Sequence, residues 1–269
     1  MENRQISGFL IVGHGTRDPA GQSQFLHIAE QAARRLAPAP VETAFLELAE
    51  PSIPAGIAAL AARGVHRFVT VPVLLFRAGH ADRDIPEAVQ AAALEHGMQA
   101  VAQSDPLELQ EPVLQLSAAR FRQALAEHGL EDTPRSRIAL AMIARGSSSE
   151  SAAMKMAEFT CERHRYEPVK WCGIGYVAVR RPNVDDILDQ LAAQDADVLV
   201  VQPHLLFHGE VWESIRTRMT IRSADDQRPW LITQPLGFQE SRGCSTTQTP
   251  ESEQISLGSV LAELARVKE

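Results

Sequence analysis

The sequence is poor in cysteine, in aromatic residues and in positive charge, and each shortage argues against a class of protein. It has three cysteines, Cys161, Cys172 and Cys244, none in a Cys-x-x-Cys pair, so neither a disulfide framework nor a cysteine-based zinc site is supported. Only 5% of residues are aromatic, and Lys and Arg (26) are outnumbered by Asp and Glu (34). The resulting net charge of -8 argues against nucleic acid as a partner, because phosphate backbones are bound by clustered cations.

Long hydrophobic runs are also missing. No apolar stretch approaches the roughly 20 residues that cross a bilayer. The N-terminal segment MENRQISGFLIVGHG lacks the basic start and long apolar core of a signal peptide. We therefore expect a cytoplasmic protein with no membrane partner, and 45% hydrophobic with 22% charged residues is typical of soluble α/β proteins.

Strand-like and helix-like patterns alternate along the first half of the chain. The strand-like segments are residues 8–13, 41–48 and 67–76, and the helix-like segments are residues 22–36 and 53–63. Parallel strands need crossover helices, so this alternation predicts an α/β fold with a small parallel sheet covered by helices on both faces. Functional loops are then expected at the carboxyl ends of the strands.

The second half of the sequence repeats the first at a constant offset of about 131 residues. The matched pairs are Gly15 and Gly146, Pro51 and Pro182, Pro72 and Pro203, Leu74 and Leu205, Leu75 and Leu206, and Phe76 and Phe207. This repeat predicts two duplicated lobes. The predicted segments are a first lobe at 1–110, a connecting helix and linker at 111–135, a second lobe at 136–238, and a flexible linker with a short helix at 239–269. That last helix could dock on a lobe or hold a partner.

Histidines follow two of the predicted strands. His14 lies between Gly13 and Gly15 after an apolar strand, and His80 follows Gly79 after another. The strand between them in sequence ends with Glu47 and Glu50, so a carboxylate can join both imidazoles at one edge of the sheet. Two imidazoles and one carboxylate suit a borderline divalent ion such as Co²⁺, Fe²⁺, Ni²⁺ or Zn²⁺.

Three separated blocks of the sequence, GHGTRDP, FLELAEPSIP and VPVLLFRAGHADRDIP, carry a family resemblance. In order and spacing they resemble the signature blocks of the sirohydrochlorin chelatases, the class II chelatases that insert cobalt or iron. The resemblance covers most of residues 8–106, and the second lobe is similar to the degenerate second half of the longer family members.

The resemblance implies a lyase that inserts Co²⁺ or Fe²⁺ into sirohydrochlorin in sirohaem or cobalamin biosynthesis. It places the catalytic and metal-handling residues at His14, His80 and Glu47, with Glu50 as the alternative acid. No cofactor beyond the metal substrate is implied, and the sequence has neither a P-loop nor the spacing of a dinucleotide-binding glycine motif.

The second lobe lacks the three chemical residues of the first. By the offset, His14 becomes Arg145, Glu47 becomes Ala178 and His80 becomes Val211, so the resemblance implies one active site furnished by the first lobe. The residues expected to bind the substrate's carboxylates are Arg145, Arg180, Arg181, His204 and His208. A second metal site at the two histidines of this set is an open alternative.

Other functions are compatible with parts of the pattern. A metal or tetrapyrrole carrier needs the same ligands, whereas a histidine phosphatase needs an arginine where Gly13 stands. Protohaem ferrochelatase is a third alternative, but its motifs differ. The physiological metal, the pathway, and whether the protein is a monomer or a homodimer stay open.

Overall fold

The computed structural model describes residues 7–76, 80–238 and 256–268, without the side chains of Ser7 and of residues 80–82. The strands are β1 (Ser7–Gly13), β2 (Val41–Phe45), β3 (Arg67–Val73), β4 (Gln99–Gln103), β5 (Ile138–Ala144), β6 (Trp171–Tyr176), β7 (Val198–Pro203) and β8 (Trp230–Ile232). The α-helices are α1 (Pro19–Leu36), α2 (Ile53–Ala62), α3 (His80–Glu95), α4 (Glu111–Ala126), α5 (Glu150–Tyr166), α6 (Val184–Ala192), α7 (Glu210–Ser223) and α8 (Leu257–Arg266).

The chain divides into two compact units, each built on a four-stranded parallel sheet. The first unit has the strand order β2-β1-β3-β4 and includes α1, α2, α3 and α8. The second has the order β6-β5-β7-β8 and includes the helices α4 to α7. The predicted fold class, α/β with duplicated parallel sheets, is confirmed.

Alternation of side chains along the buried central strand explains why helices cover both faces of the first sheet. Leu10 and Val12 of β1 pack in one core cluster with Ile57 of α2 and Val89 of α3. The intervening buried residues, Phe9 and Ile11, point to the opposite face because successive strand residues alternate. Helices α1 and α8 pack together and complete this unit.

The second unit repeats this construction. Ala141 and Ile143 of β5 share a core cluster with Ile187 of α6 and Ile215 of α7. Strands β1 and β5 correspond residue for residue at the offset of 131 read from the sequence. The duplication is therefore present in the strand order and register as well as in the sequence.

Two helices, α4 and α8, do not belong to the unit whose strands precede them in the sequence. Helix α8 follows β8 in the chain, yet it packs against α1 of the first unit, where Leu257 and Leu261 are buried. Helix α4 follows β4, yet it packs against α5 of the second unit. The segment expected to be a connecting helix is thus part of the second unit, and the C-terminal helix docks on the first.

Helix α8 has its own N-terminal cap, and an ion pair beyond its end joins it to the first unit. Ser256 and Ser259 form a reciprocal capping box at the start of the helix. Beyond its end, Lys268 Nζ lies 3.2 Å from Asp105 Oδ2. Across the part of the chain that the structure describes, no helix is both long and apolar enough to span a membrane.

Replacing Leu261 by alanine should destabilise the first unit, although this residue is far in sequence from residues 7–108. Leu261 is fully buried, so the truncation leaves a cavity, and such changes cost about 2–5 kcal/mol of unfolding free energy. The control Val267→Ala alters an exposed side chain just past the same helix. It should change the unfolding free energy by less than about 0.5 kcal/mol. Urea unfolding measures both, and equal midpoints for the two variants would contradict the docking of α8.

Candidate functional site

His14 and Glu47 are brought together because the backbone pairing of β1 with β2 continues beyond the strand ends. The two strands run parallel, so their carboxyl ends lie at the same edge of the sheet. Past these ends, Leu46 N donates a hydrogen bond to Gly13 O (2.9 Å), and Glu47 N donates one to His14 O (3.0 Å). The loop after β2 is thereby fixed against the loop that carries His14.

The side chains of this pair are separated by a distance that suits two ligands of one ion. His14 Nε2 lies 3.4 Å from Glu47 Oε1, and the two side chains are 45% and 54% exposed. Two atoms that each lie about 2.1 Å from a metal ion at the tetrahedral angle are about 3.4 Å apart. The pair is therefore open to solvent and can bind a cation.

Gly15 allows the close approach on which this arrangement depends. Its φ is +100°, and a Cβ at this position would lie 1.7 Å from the carbonyl oxygen of Glu47. Thr16 and Asp18 then turn the chain into α1, since Asp18 Oδ1 caps the helix by accepting a hydrogen bond from Ala20 N (3.0 Å). The glycine and the polar turn of the GHGTRDP block thus have structural roles around His14.

The second candidate acid, Glu50, has a different contact. Its Oε2 accepts a hydrogen bond from Ser52 N at 2.7 Å, just before α2 begins. Between the two acids that the sequence left open, the geometry favours Glu47 as the partner of His14.

His80 is the first residue of α3, and its side chain lies outside the described residues. The helix follows β3, which pairs with β1 on the side opposite β2. Among the side chains that the structure does describe, no group of three histidine, cysteine, aspartate or glutamate residues could hold a metal ion. The role of His80 stays a prediction.

The second unit has the same backbone frame, meaning the hydrogen bond between the two loops and the glycine of positive φ, but with different side chains. Ala178 N donates a hydrogen bond to Arg145 O (3.0 Å), as Glu47 N does to His14 O. Gly146 has a φ of +92°, and a Cβ there would lie 2.0 Å from the carbonyl oxygen of Ala178. Arginine and alanine therefore occupy the places that a histidine and a glutamate occupy in the first unit.

The three arginines of the predicted substrate-binding set differ in their contacts. Arg145 is exposed, and its guanidinium has no partner among the described side chains. Arg180 is half-buried, donating to Ser147 O (2.6 Å) and to Glu150 Oε2 (2.9 Å). Arg181 is exposed and pairs with Asp186 Oδ2 at 2.6 Å. Arg145 and Arg180 meet at one loop, because Ser147 closely follows Arg145.

The structure contradicts the prediction that His204 binds substrate. Its side chain is 2% exposed and its ring packs on Phe159, with ring centroids 4.2 Å apart. Burial lowers the pKa of His204 to about 3, so the imidazole is neutral at physiological pH. His204 is therefore a core residue, although its position at the end of β7 led to the prediction of a binding role. A metal site formed by His204 and His208 would lack one of its two ligands.

His208 is held in a partly aromatic environment. Its Nε2 and Gln234 Oε1 are 2.9 Å apart and share a hydrogen bond, and its ring packs edge-on against Trp212 and Phe238 at centroid distances of 4.7 and 5.6 Å. Gln234 and Phe238 were not predicted, because they follow β8 and no motif links them to His208. Their contacts depend on the parallel pairing of β7 with β8.

The protein is thus a duplicated parallel α/β protein in which a histidine and a carboxylate, both possible metal ligands, meet at the strand ends of the first unit. The family model described as CbiX matches residues 8–124 and 139–242. The chain belongs to the CbiX family.

Several relatives match most of the chain. A sirohydrochlorin ferrochelatase of Priestia megaterium is 27% identical over 87% of this chain and 86% of its own length. A sirohydrochlorin cobaltochelatase of the same organism is 28% identical over 78% of this chain and 67% of its own. The solved structure of SirB from Bacillus subtilis with Fe3+ shares the fold, with a TM-score of 0.80, 22% identity and coverage of 97% and 95%.

Gly15→Ala should disturb the site more than a glycine replacement that meets no atoms. Gly64 also has a positive φ, but a Cβ there has nothing within 4 Å, so Gly64→Ala measures the conformational cost alone, about 1–2 kcal/mol. Gly15→Ala adds a clash with the backbone of Glu47 and should cost more than about 3 kcal/mol. Denaturant unfolding compares the two variants. Equal losses would show that the close approach at Gly15 does not constrain the loop.

His204→Leu should make the stability of the protein less sensitive to acid. The imidazole has a pKa of about 3 when folded and about 6.5 when unfolded. Its contribution is complete above about pH 6.5 and is lost as the pH falls towards 3, because the unfolded chain binds the proton first. The parent should lose up to about 1.4 kcal/mol more unfolding free energy per pH unit than the variant in this window. Urea unfolding between pH 4.5 and 7.5 measures this, and parallel pH profiles would contradict the burial of a neutral His204.

Proposed function

We propose that this protein inserts Co²⁺ or Fe²⁺ into sirohydrochlorin without ATP, as a chelatase of sirohaem or cobalamin biosynthesis. The observation that carries the proposal is the exposed pair of His14 and Glu47, 3.4 Å apart at the carboxyl edge of the first sheet. Membership of the CbiX family supports it, as do the names of the relatives, which include a sirohydrochlorin ferrochelatase and a cobaltochelatase.

The reaction places two demands on the protein. The macrocycle must lose two pyrrole N–H protons, and the metal must exchange its earlier ligands for four ring nitrogens. An imidazole can first present the ion and then accept a proton, so His14 and His80 are proposed to hold the ion and then to take one of the two protons each; His14 Nε2 lies beside the carboxylate of Glu47.

Glu47 complements the imidazole. Its carboxylate supplies a negative charge beside the cation and can orient the imidazole of His14. The hydrogen bond from Glu47 N to His14 O keeps the two residues together while the ion leaves. The pair therefore needs no large rearrangement to take up or to release the ion.

His80 completes the proposed set of metal-handling residues. The resemblance assigns it this role, and the topology supports the assignment, because α3 begins after β3, next to β1. With His80, the first unit would supply two imidazoles and a carboxylate, a set that accepts both cobalt and iron.

The basic residues of the second unit are proposed to bind the peripheral carboxylates of the substrate. Arg145 is the first choice because its guanidinium is exposed and has no described partner. Arg181 can exchange its ion pair with Asp186 for a substrate carboxylate, since this pair is near the surface. Arg180 and His208 act through the loops to which they are hydrogen-bonded. We further propose a cytoplasmic location and no cofactor beyond the metal that is consumed.

The test is anaerobic metal insertion, followed by the absorbance change of sirohydrochlorin with Co²⁺ or Fe²⁺ above the uncatalysed rate. His14→Ala should lower kcat by about 100-fold or more, because it removes the ligand and the base together. Glu47→Gln should lower it by about 10- to 100-fold through loss of charge and orientation. His80→Ala should lower it as His14→Ala does.

Two controls separate the site from general damage. Glu50→Gln keeps an oxygen that can accept the hydrogen bond from Ser52 N, and His66→Ala removes an exposed histidine before β3, at the opposite edge of the sheet. Both should keep the parent rate. An intact chain that binds metal and sirohydrochlorin without joining them would overturn the proposal in favour of a carrier.

A further inference from the structure

The carbonyl group of Thr16, two residues after His14, accepts a hydrogen bond from a side chain of α1. The donor is Gln22 Nε2, which lies 2.7 Å from Thr16 O. A carbonyl oxygen only accepts hydrogen bonds, so the amide nitrogen of Gln22 must be the atom that faces it. Both residues are half-buried, whereas His14 is exposed. The loop that carries His14 is therefore held from the side of α1 by the Gln22 side chain.

Backbone hydrogen bonds hold the same loop from the side of β2. Glu47 N donates to His14 O at 3.0 Å, and Leu46 N donates to Gly13 O at 2.9 Å. The bond from Gln22 to Thr16 O is added on the other side, so the segment 14–16 is attached at both of its ends. The imidazole of this segment is 45% exposed, and its backbone therefore has to supply most of its positioning.

Helix α1 is itself fixed against the strand ends by Phe25. This ring is 2% exposed and packs on Phe45 at the end of β2, with ring centroids 4.8 Å apart. A Cβ at Gly13 would lie 2.9 Å from Phe25 Cε2, so the ring also lies against the end of β1. Because Gln22 and Phe25 are three residues apart, they share one face of the helix. The amide of Gln22 is therefore presented to the loop at a fixed place.

The second unit has a hydrogen bond to the matching carbonyl group. At the offset of 131, Thr16 corresponds to Ser147, and Ser147 O accepts a hydrogen bond from Arg180 Nε at 2.6 Å. Here the donor comes from the loop after β6 and not from the helix that follows the carbonyl group. The acceptor is thus the same in both units, although the donor is a different kind of side chain on a different element.

The two donor positions are complementary between the units. Gln22 corresponds to Ala153, and Arg180 corresponds to Ala49. Each unit therefore has a donor at one of the two positions and an alanine, which has no side-chain donor, at the other. A hydrogen bond that is present in both units with exchanged donors indicates that the loop requires the attachment and not the particular residue.

We propose that Gln22 is a positioning residue, which holds the loop of His14 in the geometry that binds the metal ion. This inference rests on the proposed function, because it takes His14 as a ligand of the ion that is inserted. Gln22 acts through Thr16 O and the backbone, without touching the ion or the macrocycle. Hydrogen bonds that support a ligand from behind set how well its atoms are placed, and their loss typically weakens metal binding about 10- to 100-fold.

The test compares Gln22→Met with Gln22→Arg. Methionine keeps the length of the side chain but has no N–H donor, whereas the Nε of arginine lies as many bonds from Cα as the Nε2 of glutamine. In Gln22→Met the Kd for Co²⁺, measured without tetrapyrrole, should rise about tenfold. At saturating Co²⁺ the kcat should fall about tenfold, because His14 is misplaced for the chemical step, and the KM for sirohydrochlorin should change by less than about twofold. Gln22→Arg should restore the parent values, since its Nε can donate to Thr16 O.

Hydrogen exchange reports on the loop independently of metal and substrate. The amides of Leu46 and Glu47 are bonded to carbonyl groups of the His14 loop, so a loosened loop exposes them more often. In Gln22→Met these two amides should exchange about fivefold faster, while the amides at the centre of β1 keep the parent rate. In Gln22→Arg all of them should exchange as in the parent.

The matched control is Gln194→Met in the second unit. It removes a hydrogen bond of the same kind, in which Gln194 Nε2 donates to Gln190 O at 2.9 Å. This variant should keep the parent affinity for Co²⁺ and the parent exchange rates at Leu46 and Glu47.

Arg180→Met tests the same attachment in the second unit. It removes the donor to Ser147 O, so the amide of Ala178, which is bonded to Arg145 O, should exchange about fivefold faster than in the parent. An unchanged rate at Ala178 would contradict the requirement for the attachment in this unit.

The outcomes distinguish this inference from the proposed function. If the parent inserts metal and Gln22→Met keeps its Co²⁺ affinity and exchange rates, the inference is wrong and the chelatase proposal stands. Equal losses in Gln22→Met and Gln22→Arg, or faster exchange throughout the first unit, would show a general structural role and overturn the inference. If the parent binds Co²⁺ but inserts none, the proposed function fails, and the Co²⁺ titration still decides the role of Gln22. If the parent does not bind Co²⁺, both are overturned.

Discussion

The candidate site depends on two backbone hydrogen bonds that extend the pairing of β1 with β2 beyond the sheet. They join Glu47 N to His14 O and Leu46 N to Gly13 O. Because the constraint is in the backbone, it positions two exposed side chains that have little packing of their own. Gly15 is part of the same constraint, since any side chain there would meet the carbonyl group of Glu47.

The same frame in the second unit shows which features belong to the fold and which belong to the chemistry. Gly146 and the hydrogen bond from Ala178 N to Arg145 O are retained, although neither side chain is a metal ligand. The frame is thus a property of the duplicated fold, and the first unit uses it to hold a histidine and a carboxylate. In the second unit it presents the guanidinium of Arg145 instead.

Much of the fold and part of the site could be predicted from the sequence. Sequence patterns predicted the parallel sheets, the repeat, and the meeting of His14 with a carboxylate, Glu47 or Glu50, because the carboxyl ends of neighbouring parallel strands share an edge. The family resemblance then favoured Glu47. The packing of α4 in the second unit and of α8 in the first was not predictable, because it depends on which sheet the apolar face of each helix covers. His204 shows the same limit: burial of its imidazole is set by tertiary packing, for which the sequence has no local signal.

In the proposed function, His14 and Glu47 hold the metal that is to be inserted. X-ray absorption spectroscopy of the protein with one equivalent of Co²⁺, in the absence of tetrapyrrole, tests this most directly. We expect imidazole scattering together with nitrogen and oxygen ligands at about 2.0–2.2 Å, with the imidazole signal reduced in His14→Ala and one oxygen ligand altered in Glu47→Gln. A spectrum of cobalt bound by water alone, unchanged in both variants, would contradict it.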